Sequence, residues 1–455
     1  NFRWLKKAYD EGEATLIANV GPMVEPIQDK YEYFSGKKRV PMNLYAHNAQ
    51  QTSSKTVVAQ DLDASGVIGR ILEVISQVPG DPATTKAYST SGNSVFLESP
   101  GSEPPVVIGG NGDGSERFRH FSTYRGVITN MTAMRSSNIF ADTHNALLNH
   151  TLETTEALTS KLQEGALRVS FPASSLGRQL ANVAQVIKAR HLTGANADGF
   201  YCQIGGFDTH SDFHMTLARK VMEINDALEA FSEEMKLDDI WESVAVLQAS
   251  EFGRTMMSNG RGTDHSWGGM HHLSGGNVKG GKMVGKYPTS LKEDGDNVIS
   301  RGRIVAGLSW ESVYHAVAEW MGVPEDKMPY VLPNMRLWPP GKLMTMGSLF
   351  NPPPPPSPPS IPSPPSAPMP PAAPPSPPGS PPLDLEFDPM SIMTDYNDRG
   401  ECGARGNNAR ANPYVKCKSA GFHVAYRSYT SIIINGCEYT YYAIYECNWP
   451  PPPSP

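Results

Sequence analysis

Residues 199–210 read GFYCQIGGFDTH and residues 244–255 read VAVLQASEFGRT. Each stretch opens as a short apolar run and closes in a loop of acid, hydroxyl and glycine. Short apolar runs bounded by glycine mark strands whose two faces are both covered, so Gly199 to Ile204 and Val244 to Ala249 are read as adjacent buried strands. In open α/β sheets, ligands sit beyond the carboxyl ends of strands. The two loops should therefore share one crevice, which brings Asp208, His210 and Glu251 together. A third polar loop, GTDHSWGG at residues 262–269, follows closely and adds Asp264 and His265.

Working outward, apolar residues recur at spacings of three and four. Leu176, Leu180, Val183 and Ile187 form one series, and Leu217, Val221, Ile224, Leu228 and Phe231 form another. Each makes one helical stripe. Strands alternating with such helices predict an α/β domain over residues 1–345, with a mainly parallel central sheet and helices on both faces. Carboxylates and imidazoles at the loop tips suit a divalent metal ion such as zinc, manganese or calcium. The competing reading has Asp208 capping the helix that follows and Asp264 pairing with Arg254.

From Asn351 to Pro382, 19 of 32 residues are proline, and the remainder builds no core. Repeated proline fixes φ and removes hydrogen-bond donors, which predicts a polyproline II rod of about 100 Å at roughly 3.1 Å per residue. Interruptions at Ser357, Ser360 and Ala372-Ala373 leave a flexible linker as the alternative. Four of the five cysteines (Cys402, Cys417, Cys437 and Cys447) crowd into the last stretch, which predicts a small disulfide-bonded module over residues 384–449. A zinc site is the other reading, but no Cys-x-x-Cys pair occurs. Asn435-Gly436 between β-rich runs predicts a hairpin. It places Cys437 and Cys447 along one strand, about 33 Å apart, too far to bond each other. The tyrosines Tyr414, Tyr426, Tyr429, Tyr439, Tyr441, Tyr442 and Tyr445 either face a carbohydrate or partner or fill this small core. Residues 450–455 read as the start of a second proline-rich segment.

A net charge of -7 argues against a nucleic-acid partner, and no apolar run is long enough to span a bilayer. The chain opens at Asn1 with neither an initiator Met nor a leader, so a removed or upstream signal peptide is expected. Sequons at Asn130 and Asn149 agree with an extracellular, glycosylated protein.

Three stretches carry a resemblance: GGFDTHSDFH, ASEFGRTMMSNGRGTDHSWGGMHHLSGGNVKGGKMVGKYP and SRGRIVAGLSWESVYHAVAEWMGV. They resemble domain of unknown function 1501, a secreted family related to sulfatases and alkaline phosphatases. Ala8 to Gly12, Ile17 to Gly21 and Asn43 to Gln51 resemble that family's first half, so the likeness runs from about Asn1 to Trp338. It implies that Asp208, His210, Glu251, Asp264 and His265 supply one or two metal positions. It also implies a further strand ending in Gly-Gly-x-Asp ahead of Asn1, and it has aspartate where this chain has Glu251. The proline-rich segment resembles the rods of green-algal wall glycoproteins such as the pherophorins.

These readings lead to two expectations of function. One is an extracellular structural glycoprotein of a coat, matrix or fibre, whose partners are other copies of itself or other matrix glycoproteins. The other is a metal-dependent hydrolase of sulfate or phosphate esters, acting on glycans, with a carbohydrate-binding role for the C-terminal module as a third.

Overall fold

The structure is a computed structural model, and it describes residues 2–80, 82–109, 121–134, 138–149 and 166–352 together with the strand backbone at 423–434 and 437–448. The chain divides into two compact units, Asn1–Ser357 and Pro358–Pro455.

The first unit is built around strand β1 (Ala14–Gly21). It follows helix α1 (Arg3–Asp10) and precedes helices α2 (His47–Thr56) and α3 (Val67–Ile75). Strands β2 (Thr85–Ser89) and β3 (Val106–Val107) come next, then helices α4 (Phe121–Thr132) and α5 (Ser175–Lys188). Strand β4 (Ala197–Tyr201), helix α6 (Phe213–Lys236) and strand β5 (Val246–Gln248) lead to the polar loops. The loops carry β6 (Arg254–Ser258) and β7 (Thr263–His265). Strands β8 (Gly269–Ser274), β9 (Lys282–Gly285) and β10 (Leu308–Ser309) and helix α7 (Trp310–Trp320) complete the unit's main elements.

Two sheets form. In the larger, β1 pairs in parallel with β9 and β10 along one edge and antiparallel with β8 along the other, and β8 pairs antiparallel with β5. The smaller sheet is fully parallel, in the order β3-β2-β4. The α/β class therefore stands, but the central sheet is mixed rather than mainly parallel. The physical reason is β8, which returns between β1 and β5 against their direction. The two strands read as neighbours, β4 and β5, lie in different sheets. They are also half-buried rather than enclosed, Gly199 excepted, and shorter than the apolar runs suggested.

Helices cover both faces. Ser174 caps α5 by accepting the Gly177 N–H, and the stripe predicted there is inward: Leu180 and Val183 join Trp4, Leu228, Phe231 and Trp241 in one core cluster. In α6 only the second half is inward, with Leu228, Phe231 and Met235 buried, while Leu217 is exposed. Helix α3 lies in a second cluster with Trp310, Val313 and Tyr314 of α7. Its Gly69 meets the Glu98 backbone so closely that a Cβ would stand 2.4 Å from the carbonyl group, so no larger residue fits. Burial on this scale matters: truncating a fully buried side chain such as Phe231 costs about 3–5 kcal/mol. No helix among the described residues is long and apolar enough to cross a membrane.

In the second unit, β11 (His423–Ile434) and β12 (Cys437–Asn448) pair antiparallel, with Ile434 opposite Cys437 and Val424 opposite Cys447. Asn435 and Gly436, which join them, lie outside the described residues. Cys437 and Cys447 share one strand, β12. Cys402, Cys417, the proline-rich segment and the tyrosine side chains lie outside the described residues, and so does the disulfide pairing.

Candidate metal centre

Four segments of chain meet at one polar cluster. Asp208 and His210 lie on the loop after β4, Glu251 on the loop after β5, Asp264 and His265 on β7, and His47 on the first turn of α2. The five residues predicted from sequence all come together. His47, which that reading did not name as a site residue, stands among them. The competing roles are not the ones taken: the residue before α6 is Asp212, while Arg254 pairs with Asp208 and Asp264 pairs with Arg301.

The arrangement turns on the imidazole rings. His265 Nδ1 is 2.8 Å from the Tyr45 carbonyl oxygen, which only accepts, so Nδ1 carries the proton and Nε2 is left bare in the neutral ring. His47 Nδ1 lies 3.0 Å from Glu251 Oε1, and His210 Nδ1 lies 3.2 Å from Asp264 Oδ1. In these two rings carboxylate oxygens face both nitrogens, so a proton on Nδ1 is the tautomer that a metal ion at Nε2 would require. All three Nε2 nitrogens converge on Asp208. His210 and His265 bring Nε2 to 3.0 Å from Oδ1, and His47 brings Nε2 to 3.3 Å from Oδ2. His210 Nε2 and His265 Nε2 stand 3.1 Å apart.

Lone pairs facing a carboxylate and one another repel unless a cation stands among them. Protons on the rings can supply that charge, and so can one metal ion. Ligands about 2.05 Å from a tetrahedral zinc lie about 3.3 Å from each other, the scale of the separations found here. The ligand atoms of His47, Asp208 and His265 all lie within 4.8 Å of one another, a spacing able to hold one ion. Glu251, Asp264 and the Tyr45 carbonyl stand behind the three rings, as carboxylates and carbonyls do behind metal-binding histidines. Glu251 and Asp264, read from sequence as metal ligands, each contact an imidazole here.

Local structure fixes this geometry. Asn43 and Tyr45 both take left-handed backbone conformations, φ 45° and 75°, in the turn that aims the Tyr45 carbonyl at His265 and launches α2. Such conformations in bulky residues store strain and persist only where their surroundings hold them. The Phe252 ring stacks on His265 with centroids 4.3 Å apart and lies 4.9 Å from His47. The Arg303 guanidinium covers the Tyr45 ring at 4.5 Å, and its Nε donates to the His265 carbonyl at 3.0 Å.

The carboxyl groups are held ionised. Burial alone would raise Asp208, but the Arg254 hydrogen bond, joined by His265 and His210 when those rings carry a proton at Nε2, outweighs it and brings the group down to about 2. Burial also opposes ionisation of Glu251, yet its own backbone N–H, His47 and Gln51 leave it below its ordinary value. Asp264 is lowered chiefly by the Asn259 amide, with His210 and Arg301 adding to it. The cluster therefore presents anionic oxygen behind and among the three Nε2 nitrogens, flanked by the cations Arg254 and Arg301.

The predicted glycosylation sites lie elsewhere. Asn130 is exposed on α4, and Asn149, half-buried at the end of a helical stretch over residues 139–149, accepts from Thr132 Oγ1 at 3.5 Å. Cys202 is a free thiol whose ionisation is pushed up to about 11 by burial, with Thr90 Oγ1 donating to its sulfur.

Residues 132–309 match the family described as "Protein of unknown function (DUF1501)". The matched span holds Asp208 through His265 and leaves out His47. No curated protein and no solved structure matches the chain.

Proposed function

We propose that the first unit is a metal-dependent hydrolase of anionic esters, of the sulfate or phosphate class, with the ion held by His47, Asp208 and His265 and with His210 beside them. The observation that supports this reading is the convergence of three Nε2 nitrogens on one carboxylate, each ring held at Nδ1 by an oxygen. A donor set this rich in imidazole suits zinc or manganese better than calcium, which prefers six to eight oxygens. When bound, such an ion polarises a sulfuryl or phosphoryl oxygen and lowers the pKa of a bound water.

The chain's own residues do the rest. Arg254 and Arg301, on either side of the cluster, supply the cationic rim that draws and orients an anionic ester. Glu251 and Asp264 hold the Nδ1 sides of His47 and His210 and so orient the rings, and the carboxylate network can take up a proton released during hydrolysis. A fold related to sulfatases and alkaline phosphatases, as the sequence resemblance implies, agrees with this chemistry. The test is hydrolysis of 4-nitrophenyl sulfate and 4-nitrophenyl phosphate by chelator-stripped protein before and after addition of zinc or manganese. Turnover restored by metal and abolished in Asp208→Asn is expected; metal-loaded protein that hydrolyses neither ester would sink the reading.

A second reading accompanies the first, supported by the proline content of residues 351–382 and the clustered C-terminal cysteines. In it the first unit is carried on a hydroxyproline-rich rod in an extracellular coat or matrix, and the C-terminal module contacts carbohydrate or other matrix glycoproteins. Hydroxyproline and arabinose analysis of the purified protein tests it, and unmodified prolines between Pro352 and Pro382 would contradict it.

A further inference from the structure

The loop that carries Asp208 and His210 is folded by two tight turns of its own, Thr209 N–H to the Phe207 carbonyl at 2.9 Å and His210 N–H to the Asp208 carbonyl at 3.1 Å. A three-residue turn closes a corner and ties it to nothing else. The loop's anchorage comes from the β6–β7 hairpin. Thr263 N–H donates to the Thr209 carbonyl at 3.0 Å, and the Arg254 guanidinium donates to Asp208 Oδ1 at 2.7 Å. Gly262 sits so close to the loop that a Cβ there would stand 2.2 Å from the Thr209 carbonyl oxygen and 2.5 Å from the His210 carbonyl carbon.

Asn259, in the turn between β6 and β7, completes this contact. Its Oδ1 accepts the Arg261 and Gly262 N–H groups at 3.0 and 2.8 Å, while its Nδ2 donates to the His210 carbonyl at 3.3 Å and to Asp264 Oδ1 at 3.1 Å. A side-chain amide has two donor hydrogens and two acceptor lone pairs, so all four are used. Two N–H groups on one side and two acceptor-only oxygens on the other fix its orientation, oxygen toward the turn and nitrogen toward the cluster. The side chain is exposed, where water would satisfy it equally well, yet it is bonded wholly within the protein. Asp264 Oδ1 is also the atom that stands 3.2 Å from His210 Nδ1. One amide nitrogen therefore holds both the backbone of His210 and the carboxylate against its ring.

We propose that Asn259 is a positioning residue of the metal centre: it clamps the Asp208–His210 loop and the Asp264 carboxylate to the β6–β7 hairpin, in the register that brings His210 Nε2 to 3.1 Å from His265 Nε2. The inference rests on the metal-centre reading and deepens it, because Asn259 bonds none of the proposed ligand side chains and acts through His210 and Asp264. The two halves of its amide have separable jobs. Oδ1 shapes the turn; Nδ2 holds the cluster. Asn259→Asp keeps the first job, since a carboxylate oxygen still accepts the Arg261 and Gly262 N–H groups. It reverses the second, since the other carboxylate oxygen then faces the Asp264 carboxylate and the His210 carbonyl, and acceptors that close repel.

Zinc calorimetry and hydrogen exchange on the 455-residue protein at neutral pH test it. Asn259→Ala and Asn259→Asp should each weaken zinc binding about tenfold or more, the loss expected for an outer partner of a metal site, whereas Arg261→Ala on the same turn should leave it unchanged. Gly262→Ala removes no side-chain bond but forces the turn off the loop, and should weaken zinc binding to the same extent. In the metal-free protein the Thr263 amide, which Asn259 does not touch, should exchange about tenfold faster in Asn259→Ala, Asn259→Asp and Gly262→Ala, while the Arg261 and Gly262 amides of Asn259→Asp stay as protected as in wild type. Wild-type zinc affinity in Asn259→Asp, or an unchanged Thr263 amide, would overturn the proposal and leave Asn259 a former of the turn alone. Zinc bound by none of the proteins, wild type included, would end the metal reading, and Thr263 exchange in Asn259→Asp would still decide the clamp: faster exchange upholds it and unchanged exchange overturns it.

Discussion

If one ion sits among His47, Asp208 and His265, metal and heat must oppose each other in a measurable way. A ligand at one hundred times its dissociation constant stabilises the folded state by about 2.7 kcal/mol. Unfolding entropy of about 2.1 cal/mol/K per residue, taken over the 357 residues of the first unit, comes to roughly 0.75 kcal/mol/K. Zinc at that concentration should therefore raise the melting temperature of chelator-stripped protein by about 4 °C. His47→Ala removes one of three ligands, and loss of even an outer partner of a metal ligand weakens binding 10–100-fold. With binding weakened about a hundredfold, the same zinc concentration equals the new dissociation constant, the stabilisation falls to about 0.4 kcal/mol, and the shift shrinks to about half a degree. Glu251→Gln, which keeps His47 but loosens its orientation, should fall between. Differential scanning calorimetry with zinc and with EDTA reads all three proteins. Zinc binding to unfolded chains is nearly common to the three, so their differences report the folded site. Equal shifts in wild type and His47→Ala, or no shift in either, would refute the site.

Three further outcomes follow from particular contacts. Glu234, fully buried, accepts from the Arg168 and Val169 backbone N–H groups at 2.9 and 2.7 Å and pairs with Lys188, which also pairs with Asp238, so Glu234→Ala should cost about 1–3 kcal/mol in urea unfolding by removing those two backbone hydrogen bonds and one of the lysine's partners. Asp208 is held at about 2, below its ordinary 3.8, so its contribution to stability is present above about pH 4 and is lost as pH falls through about 2. Wild type and Asp208→Asn should thus differ in urea midpoint at pH 6 and converge near pH 2, by less than about 1 kcal/mol because the carboxylate is half-exposed. In the second unit, non-reducing proteolysis with mass spectrometry should find two disulfides joining Cys402 and Cys417 to Cys437 and Cys447, and a Cys437 to Cys447 bond would contradict the hairpin reading.

Local patterns were legible in the sequence and non-local pairing was not. The α5 stripe and the second half of the α6 stripe could be read because a helix satisfies its own backbone, so its inward face is written within a dozen residues. Sheet order depends on partners far along the chain. Strand β8, Gly-Met-His-His-Leu-Ser, carries no mark of its direction, since a covered strand reads alike in parallel and antiparallel sheets. Its position between β1 and β5 is what makes the sheet mixed. The same blindness separated β4 from β5: each run was correctly apolar, but nothing in either says that a cavity, and not the other strand, lies along its free edge.

The metal centre divides along the same line. Asp208 with His210, and Asp264 with His265, were found because each pair lies within one short loop at a strand end, where sheet geometry alone delivers side chains to a common edge. His47 reaches Asp208 from 161 residues away, on a helix whose neighbouring residues, Asn48 to Gln51, hold no second carboxylate or imidazole to flag it. The roles proposed for Glu251 and His47, outer partner and ligand, were equally out of reach, because they differ only through which nitrogen faces which oxygen. That distinction rests on acceptor-only groups behind the rings, a backbone carbonyl in one case and carboxylates in two. A ring whose Nδ1 is committed to such an oxygen has one lone pair left to give, and three of them given toward one aspartate make a cation the natural occupant of the space between.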